Sequence, residues 1–102
     1  MCAVGSRDEA EAIATALVDA RLAARVQLMA IDSVYRWDGA VDRASEVMLH
    51  AKTTQARLAD AEALIKGRHS YAVPEIIAVP IVAGSADYLG WIESEVSARA
   101  SR

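Results

Sequence analysis

The feature that most constrains the fold is a pair of β-rich segments on either side of a tight-turn signal. Segment 26–37 is rich in β-branched, aliphatic and aromatic residues, and segment 46–53 alternates apolar with polar side chains. Asp38-Gly39 between them favours the left-handed backbone of a tight hairpin turn. We therefore predict a long antiparallel hairpin. Its apolar phase slips by one near Met29–Ala30, which predicts a bulge or bend there.

A first helix is predicted before the hairpin. Ser6 and Glu9 have the spacing of a capping box, in which the serine accepts from a backbone amide and the glutamate reaches back to the cap. Apolar residues then recur at intervals of three and four, which is typical of an amphipathic helix. These signals predict a helix from about Arg7 to Ala23.

Two further helices and a strand are predicted after the hairpin. Thr53 or Thr54 caps the second helix, and Gly67 supplies a left-handed residue at its end. A fourth strand is predicted over 76–79, and Pro80 marks its end or a sheet edge. The last helix is predicted over 86–98. The apolar sides of these two helices consist of Leu58, Ala61, Ile65, Leu89, Ile92 and Val96.

The order of these elements favours an α+β fold. If the few residues before Ser6 end a shortened first strand, the order becomes that of a ferredoxin-like split βαβ sandwich with a long central hairpin. With 102 residues the chain has room for one domain, 1–102. Apolar residues make up 54% of it, which suggests that another subunit covers part of the surface.

Charge and cysteine content narrow the class of protein. The net charge is −3, with 14 acidic and 11 basic residues interspersed, so a nucleic-acid partner is not expected. No apolar run approaches the roughly 20 residues that cross a membrane. The start of the chain lacks the basic region of a signal peptide. A single cysteine, Cys2, forms no intrachain disulfide, and we expect a cytoplasmic protein.

Five motifs, in order along the chain and with matching gaps, resemble the CutA family of divalent-cation tolerance proteins. The match spans essentially the whole sequence. The motifs are Arg21-Leu22-Ala23-Ala24, residues 33–39, residues 46–54, residues 69–76 and residues 87–91.

The resemblance implies a cytosolic protein with a ferredoxin-like subunit that forms a homotrimer through its hairpin strands. It also implies binding of copper or another divalent cation, with Cys2 and His69 at the positions of family ligands. The chain departs from the family pattern at Arg68, where a second histidine can stand, and at Ser70, where proline is usual. Its first strand is also nearly missing, because Cys2 is almost the first residue.

A second set of residues is expected around a cleft between subunits. Tyrosine and tryptophan combine apolar area with a polar tip and are enriched at interfaces. A purely structural interface is favoured over a ligand pocket, and Lys52 is expected to pair with Glu75 or with a ligand. The set is Tyr35, Trp37, Lys52, Tyr71 and Glu75.

The predicted function is binding of a divalent cation, associated with metal tolerance, by a homotrimer. The alternative is a regulatory module like the PII signalling proteins, with a small metabolite in the intersubunit cleft and a protein partner that the sequence does not identify. The sequence contains no nucleophile elbow and no glycine-rich phosphate loop, so an enzyme is not expected. No organic cofactor is expected either.

Overall fold

The computed structural model describes residues 1–97 and has an α+β architecture. Three helices pack with an antiparallel sheet of three strands in the order β1-β3-β2. The prediction of an α+β fold is confirmed. The elements are β1 (Cys2–Val4), α1 (Arg7–Asp19), β2 (Arg25–Trp37), β3 (Ala40–Lys52), α2 (Leu58–Arg68) and α3 (Ala86–Glu95).

Strands β2 and β3 form one long hairpin without interruption. Pairing runs from Arg25 opposite Lys52 to Trp37 opposite Ala40 in a single register. The predicted bulge near Met29–Ala30 is therefore wrong. The apolar phase changes because the covered side of the strand changes: Val26 and Leu28 pack against the core cluster, whereas the later apolar residues lie beyond it. The pairing register stays regular throughout.

The structure confirms the tight turn that Asp38-Gly39 predicts between the two strands. Asp38 and Gly39 both have positive φ, at 52° and 81°. Two consecutive left-handed residues match the right-handed twist of the flanking strands, so the turn continues the hairpin without splaying it. β3 begins at Ala40, six residues before its predicted start, because pairing continues up to the turn.

The core lies between one face of the sheet and helices α1 and α2. Ile13 and Leu17 of α1 are at most 1% exposed, as are Val4 and Leu49 of the sheet. Burying a side chain of this size contributes about 1.5–3 kcal/mol. The short β1, only three residues long, thus belongs to the best-packed part of the molecule.

Helix α1 begins as predicted and ends earlier. Ser6 Oγ accepts a hydrogen bond from Glu9 N at 3.2 Å, but the Glu9 carboxylate reaches another loop and not back to the cap. The helix ends at Asp19, four residues before the predicted end, because Arg21 turns left-handed with φ of 57°.

The ends of helix α2 differ from the prediction. A 3₁₀ turn, Gln55–Arg57, precedes the helix, and Thr54 before it makes no side-chain capping bond. Gly67 lies inside the helix, which ends at Arg68 and is followed by His69 in extended backbone. His69 takes this conformation with its imidazole bonded to β1, so a left-handed glycine is not needed.

The fourth strand is reduced to a single bridge between Cys2 and Ile76. The Met1 ammonium donates to Ile77 O at 2.7 Å, and Ile77 N donates to Met1 O at 3.0 Å. Because β1 has only three residues, it offers too short an edge for residues 77–79 to continue pairing. Helix α3 ends at Glu95, and residue 98, its predicted last residue, lies outside the described residues.

Candidate functional site

The imidazole of His69 ties the loop after α2 to strand β1. Its side chain is fully buried, and Nε2 lies 2.8 Å from the carbonyl oxygen of Ala3. Nδ1 accepts a hydrogen bond from Tyr71 N at 3.1 Å. Because Nδ1 acts as an acceptor, Nε2 carries the proton that is donated to Ala3. Both ring nitrogens are therefore engaged within the chain.

Glu9 of α1 holds the same loop from the other side. Its Oε2 accepts from Ser70 N at 3.0 Å and lies 3.6 Å from His69 Nδ1. Burial opposes ionisation, but the hydrogen bonds from Ser70 outweigh it and lower the pKa of the Glu9 carboxyl below its usual value. The carboxylate is charged at neutral pH and acts as the acceptor that fixes the loop.

Cys2 is a free cysteine that is 2% exposed and belongs to the core cluster. Burial raises the pKa of its thiol to about 11, against the opposing effect of the N-terminal ammonium. Glu75 and Glu9 raise this pKa further by charge repulsion. At neutral pH the group is a thiol, so any cation that binds the sulfur as thiolate must displace a proton.

The two predicted metal ligands lie at the same strand. The His69 ring bonds to Ala3, the residue after Cys2, which brings a nitrogen donor to the backbone next to the sulfur donor. Among residues 1–97, no group of three His, Cys, Asp or Glu side chains is close enough to hold a metal ion. The donor types suit copper or zinc, but this part of the chain does not supply a full set by itself.

Four of the five predicted cleft residues line one cavity of about 690 Å³. It lies between the outer part of the β2–β3 hairpin and the loop 71–75, and we call it the aromatic cavity. Its side chains combine apolar area, aromatic rings and carboxylates. The four predicted residues are Tyr35, Trp37, Tyr71 and Glu75.

Lys52 lies elsewhere. It is at the opposite end of β3 and lines a different cavity, of about 410 Å³, between α2 and residues 76–81. Its Nζ donates to Gln27 Oε1 at 3.0 Å, so the expected pairing with Glu75 is not formed within the chain. The position of Lys52 relative to the hairpin tip follows from the register, in which Lys52 pairs with Arg25 at the far end of the hairpin.

Two important residues of the aromatic cavity were not predicted from the sequence. Glu46 accepts a hydrogen bond from Tyr71 Oη at 2.8 Å. Burial, together with that bond, raises the pKa of Tyr71 to about 12, so the phenol remains a donor. Asp42 lies opposite Tyr35. Since opposed residues share a sheet face, strict pairing from the Asp38-Gly39 turn would have located both carboxylates.

The family model described as "CutA1 divalent ion tolerance protein" matches residues 1–95. The chain belongs to this family. The divalent-cation tolerance protein CutA of Thermus thermophilus is 42% identical over 90 residues, which cover 87% of each sequence. The description of the family names tolerance of divalent ions and names no reaction.

Further relatives support the family and the fold. The chloroplastic CutA protein of Arabidopsis thaliana is 39% identical over 89% of this chain, which spans only 50% of that longer protein. The structure of the periplasmic divalent cation tolerance protein CutA from Archaeoglobus fulgidus matches with a TM-score of 0.92 at 35% identity, covering 94% of each chain. None of the helices in residues 1–97 has the length and apolar character to span a bilayer.

Proposed function

We propose that the chain binds a divalent or soft cation of the copper or zinc type at strand β1, with Cys2 and His69 as donors. The observation that carries this proposal is the 2.8 Å bond from the His69 ring to Ala3, which holds the imidazole beside the strand that bears the thiol. Thiolate and imidazole together suit copper or zinc better than calcium or magnesium.

Binding requires local changes at both donors. The Cys2 thiol must lose its proton, and His69 must release either Ala3 O or Tyr71 N to free a ring nitrogen. Two donors leave a coordination shell incomplete, so Met1 or a neighbouring copy of the chain completes it. Arg68 stands next to His69 and places a cation where a ligand can stand in the family, which weakens binding.

The proposal includes a homotrimer. Its support is the apolar surface of the hairpin and of residues 77–82, which a single chain leaves uncovered. Three valines here are 61%, 67% and 92% exposed, and apolar surface of this kind usually marks a contact with another protein chain. These residues are Val34, Val41 and Val82.

The proposed binding takes place in the cytoplasm and involves no chemical turnover. The lone thiol of Cys2 is free, as is usual in a reducing compartment. The Archaeoglobus relative is described as periplasmic, so fractionation of cells producing the protein tests the location directly. A panel of hydrolase substrates tests the absence of turnover.

Isothermal titration with copper(I), copper(II) and zinc tests the cation site. We expect the wild type to bind at least one of these ions, and Cys2→Ala and His69→Ala each to lose about tenfold or more in affinity. His50→Ala is the matched control, because His50 is the other histidine and is not a proposed ligand. Titration in two buffers of different ionisation enthalpy should reveal proton release, since the thiol is protonated before binding.

The possible results separate clearly. If Cys2→Ala and His69→Ala bind as tightly as the wild type, the assigned donors are wrong. If no ion binds while ATP or a small carboxylate does, the cation function is wrong and the regulatory alternative replaces it. Loss of affinity in His50→Ala alone would move the site to the other cavity, whose lining includes His50 and Cys2.

A further inference from the structure

The buried residue Cys2 borders a cavity of about 410 Å³, which we call the thiol cavity. Core residues such as Leu49 and Ile65 form part of its wall, and residues 76–81 form another part. Cys2 is only 2% exposed. The segment 76–81 is therefore one of the barriers between the solvent and the thiol.

The two ends of the chain section that contains this segment are fixed within the same chain. At its start, Ile77 exchanges two backbone hydrogen bonds with Met1, at 2.7 and 3.0 Å. At its end, the guanidinium groups of Arg21 and Arg57 donate to the last carbonyl oxygens around the end of α3, at 2.9 and 2.6 Å. Any opening must therefore occur between these two attachments.

The middle of the section has no such attachment. Residues 78–84, which we call the strap, are all exposed, and within residues 1–97 their backbone forms no hydrogen bond. Its large apolar side chains are unpacked as well, since Val79 and Val82 are 64% and 92% exposed. A segment with so few contacts opens locally at a small cost in free energy. In a free chain the strap is thus a weak barrier.

The proposed homotrimer strengthens this barrier. The apolar side chains of residues 77–82 belong to the surface that a neighbouring copy covers in that assembly. Lifting the strap would then return to water the apolar area that the neighbour had covered, which adds to the free-energy cost of opening. The cost of reaching the thiol therefore depends on whether the neighbour is present.

We propose that assembly controls access to Cys2, because a neighbouring copy holds the strap closed over the thiol cavity. This inference rests on the homotrimer of the proposed function, but it does not require that a cation binds. Its consequence for the proposed cation site is that ions reach Cys2 before the copies assemble, or when a neighbour locally releases the strap.

Thiol labelling measures this access directly. The sequence contains one cysteine, so reaction with the uncharged disulfide 4,4′-dithiodipyridine at one fixed pH reports on Cys2 alone. Val41→Asp places a carboxylate on the hairpin surface that another copy is expected to cover. Val41 is eight residues from Leu49, the partner of Cys2, or roughly 27 Å along β3. An effect of this change on the thiol must therefore pass through the assembly or through unfolding.

We expect labelling to be about tenfold or more faster in Val41→Asp than in the wild type, because local opening no longer requires release of a neighbour. Val18→Asp, on α1, adds the same charge and should label as slowly as the wild type. Low concentrations of urea identify the route in Val41→Asp. Local opening exposes little surface and should respond weakly to urea, whereas labelling through global unfolding would respond steeply.

A change within the strap separates the neighbour's hold from burial by the same chain. Val82 is 92% exposed, so Val82→Ser removes almost no contact from a free chain. It does remove apolar contact with a neighbour. We expect labelling about threefold or more faster in the assembled protein, and no effect of Val82→Ser in the Val41→Asp background.

Static light scattering on the same solutions makes the outcomes distinct. A wild type with the mass of one chain would overturn the homotrimer itself. With a trimeric wild type, equal labelling of the wild type and a dissociated Val41→Asp would overturn the present proposal alone, and so would a steep urea response. Val82→Ser needs no dissociation, so it decides even if Val41→Asp keeps its mass. An unchanged rate in assembled Val82→Ser would show that the chain protects its thiol without help.

Discussion

Gly5 lies where the chain leaves β1 and passes under the ring of Tyr71. A Cβ at this position would stand 2.9 Å from Tyr71 Oη. The ring is partly exposed and can retreat, but it would then give up its bond to Glu46. We therefore expect Gly5→Ala to lower the free energy of unfolding by about 1 kcal/mol, measured by urea denaturation.

The control for this prediction is Gly67→Ala. Gly67 lies within α2 with open space around the added carbon, so alanine should stabilise the helix by about 0.5–1 kcal/mol. The cost of Gly5→Ala should also shrink in a Tyr71→Phe background, which has no bond to lose. An unchanged cost in that background would contradict the explanation.

At the residue scale the sequence predicted positions better than partners. Ser6 caps α1 as its spacing predicts, because that contact is local. Glu9 was expected to bond to the same cap, yet it bonds to Ser70, 61 residues away. A local motif does not show which distant loop will compete for a side chain. For the same reason the sequence does not show that Lys52 bonds to Gln27 within the chain, and its pairing with Glu75 of another copy or with a ligand stays a prediction.

The hairpin is the element that the sequence predicted most completely. The alternation of apolar and polar residues predicted its two strands, and the Asp38-Gly39 turn predicted that they run antiparallel. Both signals act between residues that are near in the chain. The predicted bulge failed because the apolar pattern reports which face is covered, and the covered face changed along β2. The fourth strand failed because its partner β1 is too short, which alternation within residues 76–79 does not reveal.

Gly39→Ala tests the turn that holds this hairpin. Gly39 has φ of 81°, where a side chain strains the backbone. We expect a loss of about 1–2 kcal/mol in unfolding free energy, measured by urea denaturation. Gly90→Ala in α3 is the matched control, since Gly90 also has open space but helical backbone, and it should be neutral or stabilising. Equal effects of the two changes would argue against strain at the turn.

At the scale of the whole molecule, the fold class followed from the order of elements and the assembly did not. The chain measures 46 Å along its longest axis, and the hairpin carries apolar side chains beyond the core. A surface of this kind predicts that something covers it. It does not by itself state how many copies do so, and the number three comes from the family resemblance.

Static light scattering at micromolar concentration decides the assembly. We expect a mass three times that of the 10.9 kDa chain.

Val41→Asp should weaken the assembly, because the new carboxylate would lose its water at the interface. In a free chain the same carboxylate would lie opposite Arg36, so the hairpin should stay folded. The mass of the assembly should therefore fall while circular dichroism shows that the variant remains folded. Val18→Asp, at a 43% exposed valine on α1, is the control and should keep the wild-type mass. A folded wild-type monomer would contradict the homotrimer, and with it any cation site completed by a neighbouring copy.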